Sequence, residues 1–407
     1  MEIRSLTLFD QPGRPVRGEV LLRAAEFADS SRKIFQDAGL TVQTLRFATP
    51  PFPTFLAADR EATLVQYASD LESTLDEIGF EYLALGPALP SHLESYLLIP
   101  DLIHATQQTF CSGLLTDPEG AISLPAVRAC GEVVQRLAPL DPNGFANLYF
   151  AALAVVPPGA PFFPAAYHGG EQPLFAAAVQ GADLAVKAFQ QAESLSRARS
   201  LLENSLAEEG QRIARAAGEL SAAVGIPFGG IDFSLAPFPE KEKSLGTALE
   251  ALGIPRLGDH GSTAAAAFLA DTVDRADFPR TGFSGLMIPV LEDAVLADRA
   301  ALGALTLKDL LLFSTVCGTG LDTVPLPGAV TPDQISAVLL DMASLAVRLD
   351  KPLTARLMPI PGKSAGEETS FDFPYFANSR VMEVQAEKLE NLFKSDSSIS
   401  LAPRKQQ

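Results

Sequence analysis

The chain has 407 residues, 47% of them hydrophobic and 20% charged, with a formal net charge of −18 and a pI near 4.7. That is ample apolar material for a large packed core. The acidic balance, with no Lys/Arg cluster beyond the small Arg404-Lys405 pair, argues against a nucleic-acid partner. Three cysteines (Cys111, Cys130 and Cys317) without CxxC spacing argue against a disulfide framework or a structural zinc site. The start, MEIRSLTLFDQPG, has no apolar stretch of signal-peptide type, and runs such as Ala151 to Val156 are too short to cross a bilayer. The expected setting is the cytoplasm.

Short β-branched and aromatic runs alternate with longer helical patterns. Glu2 to Phe9 reads as a strand, and Gly18 to Gly39 as an amphipathic helix closed by Gly39. A strand at Thr41 to Phe47, a helix at about 57–77 and a strand at Phe80 to Leu85 follow. Next come a helix, a strand around Gln108 to Leu114, a helix from Pro125 to Leu137 and the apolar run Asn147 to Val156. This rhythm implies an α/β fold with parallel strands and crossover helices.

Between 172 and 224 the composition shifts to Ala, Glu, Arg, Gln and Leu. It reads as a long helical hairpin breaking near Glu193 to Ser200, with Pro173 in its first turn. After Gly225 the strand–helix rhythm resumes. Without repeat or linker, residues 1–394 read as one large barrel-like α/β domain with a helical insertion at 172–224, and 395–407 as a loose polar tail.

Four segments carry a resemblance: GIPFGGIDFSLAP (225–237), GFSGLMIPVLED (282–293), VCGTGLD (316–322) and KPLTARLMPIPGKSAGE (351–367). They, and the opening MEIRSLTLF, resemble uncharacterised protein family 0210, the domain-of-unknown-function 711 family. The resemblance implies a barrel of about ten strands like that of pyruvate formate-lyase and other glycyl radical enzymes, and a homodimer. It implies no activity. Glycyl radical enzymes carry an RVxGY-type segment near the C-terminus, and the nearest stretch here, Ser379-Arg380-Val381-Met382-Glu383, has no glycine at that place. A radical mechanism is therefore not expected.

The Gly-rich loops of the second half supply the candidate residues. Gly229 and Gly230 let the backbone approach a ligand or take φ > 0, and Asp232 and Ser234 follow on one strand face. The alternative is a glycine turn with a capped strand end. Cys317, Gly318, Thr319 and Gly320 make a tight loop whose N–H groups suit an anion, with Cys317 a nucleophile or an inert buried thiol. His260, in GDHGST before an Ala-rich helix, is an acid–base candidate or a loop cap. His168 in AAYHGGEQ occupies a similar turn entering a helix. Arg356 and Lys363 flank a Pro-stiffened loop and could grip a carboxylate or phosphate, or make ordinary salt bridges. Glu292-Asp293 reads as first-turn acids favoured by the helix dipole. GFSGL lacks the spacing of a serine nucleophile elbow.

Two functions of different class follow. In one, the loops converge on a barrel mouth that binds and processes a small anionic metabolite. Arg356 and Lys363 hold it, Asp232 or His260 moves a proton, and Cys317 is a further candidate. Asp232, Glu240 and Asp322 could then hold a divalent cation, magnesium or calcium. In the other, the chain is a non-catalytic metabolite-binding or regulatory protein on an enzyme-derived scaffold.

Overall fold

The computed structural model describes residues 2–54, 61–316, 319–390 and 397–404. In chain order the first half holds β1 (Glu2–Phe9), α1 (Gly18–Asp37), β2 (Val42–Pro51), α2 (Glu61–Ile78), β3 (Tyr82–Gly86), α3 (Glu94–Ala105), β4 (Thr109–Leu114), β5 (Ile122–Ser123), α4 (Leu124–Leu137) and β6 (Phe150–Ala154). The second half holds β7 (Leu174–Gln180), α5 (Ala182–Gln190), α6 (Leu195–Val224), β8 (Phe228–Ala236), α7 (Leu245–Ala251), α8 (Ser262–Arg275), α9 (Ala294–Ala301), α10 (Leu307–Ser314), β9 (Gly320–Pro327), α11 (Pro332–Leu349), β10 (Leu353–Ile360) and β11 (Ser398–Ile399). No helix among the described residues is long and apolar enough to cross a membrane.

Nine strands form one sheet in the order β8-β7-β1-β2-β3-β4-β6-β10-β9. Strands β1, β2, β3, β4 and β6 are mutually parallel, as the crossover rhythm requires. The later strands run the other way: β7 pairs antiparallel with β1, and β10 antiparallel with β6. Beyond the two ends, residues 279–290 bridge to both edges, Ile231 to Arg280 on β8 and Pro289 to Asp322 on β9. The sheet shown has nine strands, where about ten in a barrel were expected.

Alternation along the strands explains the two faces. Ile3, Leu6, Leu8, Leu45, Phe47, Leu83 and Leu85 join one buried cluster with Phe27 and Phe35 of α1 and Leu71 and Leu75 of α2. The opposite face carries small residues, Ala48, Ala84 and Ala176, and the space they leave is filled by Phe163 and Ala166 from the connection between β6 and β7. The same connection packs Val156, Ala160 and Ala165 on Ala151 and Leu153 of β6. A long loop therefore lies against the face away from the helices.

The helix ends follow local chemistry. Ser194 caps α6 at Arg197 N–H, and Gly225 closes it in the left-handed region. Thr306 and Thr331 each form a reciprocal capping box.

Two expectations need correction. The hairpin at 172–224 begins with a strand: Leu174–Gln180 is β7, and the helices are α5 and α6. The Ala-rich run FAAAVQ has helical composition, yet pairing with β1 and burial of Phe175 against Phe27 (centroids 5.4 Å apart) decide its state. The turn after His168 accordingly enters a strand. Nor is the tail loose over 397–404, because Ser398 and Ile399 pair with Ser123 and Ile122 of β5.

Candidate functional site

On the face away from the helices lies a cavity of about 110 Å³, lined by residues of both strand blocks. Three arginines enter it: Arg4 of β1, Arg46 of β2 and Arg356 of β10. Three carboxylates meet them: Asp232 of β8, Asp322 of β9 and Glu292, just before α9. Phe162 and Phe163, from the β6–β7 connection, supply an aromatic wall.

Strand irregularities aim these side chains. The β1–β7 register shifts between Ile3 and Ser5, which is where Arg4 sits. The β10–β9 register shifts between Ala355 and Leu357, around Arg356, while Thr323 beside Asp322 takes φ 41°. On β8 the register with β7 shifts again, and Leu235 takes φ 48°. A bulge turns a side chain away from plain alternation, and left-handed backbone at a non-glycine residue persists only where packing enforces it. Both devices gather at this cavity.

The electrostatics start from Arg356, which is 4% exposed. Its Nε donates to Asp322 Oδ1 at 2.6 Å and an Nη to Glu292 Oε1 at 2.8 Å. Arg4 completes Glu292 from the other side at 2.7 Å. Burial alone would push Glu292 up, but Arg4 and Arg356 outweigh it and hold the carboxyl below its ordinary value. Asp322 goes the other way: burial, reinforced by Glu292 across the shared arginine, raises it despite Arg356. Its Oδ2 is buried and has no hydrogen-bond partner among the described residues.

Arg46 differs from the other two arginines. Its Nε donates to Thr44 Oγ1 at 2.9 Å, and its guanidinium lies 5.3 Å from the Tyr82 ring centroid and 5.1 Å from that of Phe163. Among the described residues no carboxylate is salt-bridged to it, though Glu292 acts on it through space, and the hydrogen bond given for it is that of Nε. Desolvation first, then the neighbouring Arg4, brings its pKa down to about 10. It remains a cation at neutral pH, held by aromatic faces.

Asp232 also lines the cavity, but its oxygens are already engaged. Phe283 N–H donates to Oδ2 at 2.9 Å, Ser284 N–H to Oδ1 at 3.0 Å, and the Ser234 hydroxyl to Oδ1 as well. Burial pushes its pKa up against these hydrogen bonds. It clasps the Gly282–Ser284 turn: a Cβ at Gly282 would stand 2.2 Å from Oδ2.

Of the residues singled out from sequence, the structure thus brings Asp232, Ser234, Asp322 and Arg356 together. Gly230 (φ 121°) and Gly320 (φ 97°) serve chain packing, since a Cβ there would meet the Arg280 and Thr354 carbonyl oxygens at 2.8 and 2.1 Å. Gly229 packs on Leu174, and Thr319 donates its hydroxyl to the Leu286 carbonyl. Cys317 and Gly318 lie outside the described residues. His260 is exposed in the turn before α8 and lines no part of the cavity. Lys363 donates to the Glu368 carbonyl, away from Arg356. Glu240 is exposed beside Lys243, so the set Asp232, Glu240 and Asp322 is not assembled. No group of three or more metal-capable side chains gathers among the described residues.

Sequence reasoning passed over Arg4, Arg46, Glu292 and the Phe162-Phe163 pair. The available signal was three lone arginines inside apolar strand runs, IRSL, LRFA and ARLM, where an unpaired charge is costly.

Comparison with known proteins places the chain. It is 29% identical over 369 residues to a UPF0210 protein of Acetivibrio thermocellus, covering 86% of this chain and 80% of that one. UPF0210 proteins of Pyrobaculum aerophilum and Pyrobaculum islandicum are each 32% identical, over 356 and 398 residues. These alignments cover 82% and 90% of this chain and 77% and 87% of the relatives. The family model described as "Uncharacterised ACR (DUF711)" matches residues 3–379, and the chain belongs to that family.

Proposed function

We propose that this chain is an enzyme that binds a small organic anion against Arg46 and exchanges a proton with it through Asp322. One observation carries the reading: the cavity holds Asp322 with a buried oxygen that has no donor, beside Arg46, which rests on aromatic faces. A buried carboxylate oxygen without a donor is costly, and one ligand can offer an anionic end to Arg46 and a polar group to Asp322. Burial shifts Asp232 and Asp322 toward their neutral forms, which tips the balance of three arginines and three acids toward positive. Arg356 and Arg4 position the acids, and Phe162 and Phe163 give the site an apolar wall. On the same reading, residues 279–290 complete the sheet as a tenth stave, giving a ring like that of the glycyl radical enzymes. The pairings of Ile231 with Arg280 and Pro289 with Asp322 support it.

A ligand-stabilisation screen of small carboxylates and inorganic phosphate tests the reading. A binder at about 100 times its Kd raises the melting temperature by roughly 2–5 °C. That rise disappears in Arg46→Met; equal protection of the variant overturns the proposal.

A second reading has its own support. With Asp232 fully engaged and His260 remote, Asp322 is the one titratable lining carboxylate with an unmet oxygen among the described residues, and a binding protein needs no base. Turnover of the protecting compound, followed by NMR, separates the two readings. An enzyme converts it and loses conversion in Asp322→Asn, whereas a binder leaves it unchanged.

A further inference from the structure

The size and polarity of the cavity narrow the ligand further, given the anion reading above. A cavity near 150 Å³ holds a benzene molecule, so about 110 Å³ encloses about four or five heavy atoms, and the rest of a ligand would reach into its open mouth. Nucleotides, coenzyme thioesters and sugar phosphates are too large to be enclosed in it. Phe162, Phe163, Phe110 and Met287 make part of the lining apolar, which suits a short hydrocarbon body.

Among the charged lining groups, two positions are left for a ligand, the Nη edge of Arg46 and Oδ2 of Asp322, with the Tyr82 and Tyr375 hydroxyls as further polar neighbours. The first is a planar pair of donors and matches a carboxylate. The second faces a choice among three groups. An ammonium would bring a fourth cation beside Arg4, Arg46 and Arg356. A plain hydrocarbon would leave Oδ2 unmet. A keto oxygen accepts only, and so fits Asp322 in its neutral form alone. A hydroxyl donates to the ionised acid or accepts from the neutral one, and so fits either state.

We propose that the ligand class is a short hydroxy carboxylate of about three or four carbons, its carboxylate on Arg46 and its hydroxyl on Oδ2 of Asp322.

The test measures affinities of lactate, 3-hydroxypropionate, propionate, alanine, pyruvate and inorganic phosphate for the full chain by calorimetry. One of the two hydroxy acids is expected to bind about tenfold or more tighter than propionate, the difference made by one otherwise unmet buried acceptor. It should also outrank alanine and phosphate. In Asp322→Asn the side-chain oxygen can stay on Arg356 while the amide presents only a donor to the ligand. The hydroxy acid's advantage over pyruvate should then fall by about tenfold. Propionate binding as well as both hydroxy acids, or alanine or phosphate ranking first, overturns the hydroxy-acid assignment and leaves the anion site standing. An unchanged lactate-to-pyruvate ratio in Asp322→Asn removes Asp322 from recognition. If none of the six binds the wild type, or Arg46→Met binds them equally, the anion site itself falls, and this inference with it.

Discussion

Asp293 and Asp322 are both buried aspartates at strand or helix ends of the second half, and the protein treats them oppositely. Asp293 accepts from the Ser244 hydroxyl and from the backbone N–H groups of Leu245, Gly246, Val295 and Leu296, so it caps α9 and ties down the start of α7. Asp322 is met by Arg356 at Oδ1, and its other oxygen faces nothing that donates. Asp232 resembles the first, its oxygens filled by the Phe283 and Ser284 amides and the Ser234 hydroxyl. A buried carboxylate whose hydrogen bonds are all supplied from within holds the fold together. One left incomplete is where a ligand can enter.

The largest effect should fall on the completed site. Asp293→Ala orphans five buried donors and is expected to cost about 3–5 kcal/mol in denaturant unfolding, with no selective effect on ligand protection. A loss under about 1 kcal/mol would break the contrast with Asp322.

Glu292→Gln comes next, at about 2–3 kcal/mol, because Arg4 and Arg356 both lose a charged partner. Its pH dependence has a definite sign. Glu292 has a lowered folded pKa, so its contribution is present above its ordinary value of 4.5 and is lost as pH falls through the lower folded value. The stability gap between wild type and Glu292→Gln should therefore close on acidification below 4.5. Asp322, raised in the fold, has the opposite sign: its contribution is complete below its ordinary 3.8 and is lost as pH rises through the folded value. In Asp322→Asn that decline should vanish. The same variant is expected to lose about 1 kcal/mol or less overall, since only one hydrogen bond to Arg356 is at stake. A gap that widens toward acid in Glu292→Gln would show that its arginines do not govern it.

Much of the fold was legible. The strand and helix sequence of the first half followed from periodicity, and Gly39 marked its helix end as residue chemistry requires. β7 was not, because the four-residue run Ala176 to Val179 leaves helix and strand nearly balanced until a partner strand is present. The site was legible by halves. Asp232, Ser234, Asp322 and Arg356 stood out through their glycine-rich or proline-rich surroundings and do share the cavity. Arg4 and Arg46 come from strands with no unusual punctuation, and what makes them special is a cross-sheet meeting nearly 300 residues apart in sequence, as in the pair Arg4–Glu292. Glu292 and Asp293 show the limit of local reasoning. Both fit a helix start, and only Asp293 serves as one.

The smallest effects sharpen the comparison from outside. Glu240 is exposed beside Lys243 at 3.3 Å, and His260 is exposed before α8, where Gly261 precedes the first helical residue. Exposed pairs of this kind contribute little because water already solvates both charges and the side chains give up entropy to meet. Glu240→Ala and His260→Ala are each expected to change stability by about 0.5 kcal/mol or less. Protection by carboxylates should stay at the wild-type level, measured in the same thermal series as Arg46→Met. If either substitution abolished that protection while Asp322→Asn did not, the binding position would lie on the surface loops of the second half. The incomplete carboxylate of β9 would then need another explanation.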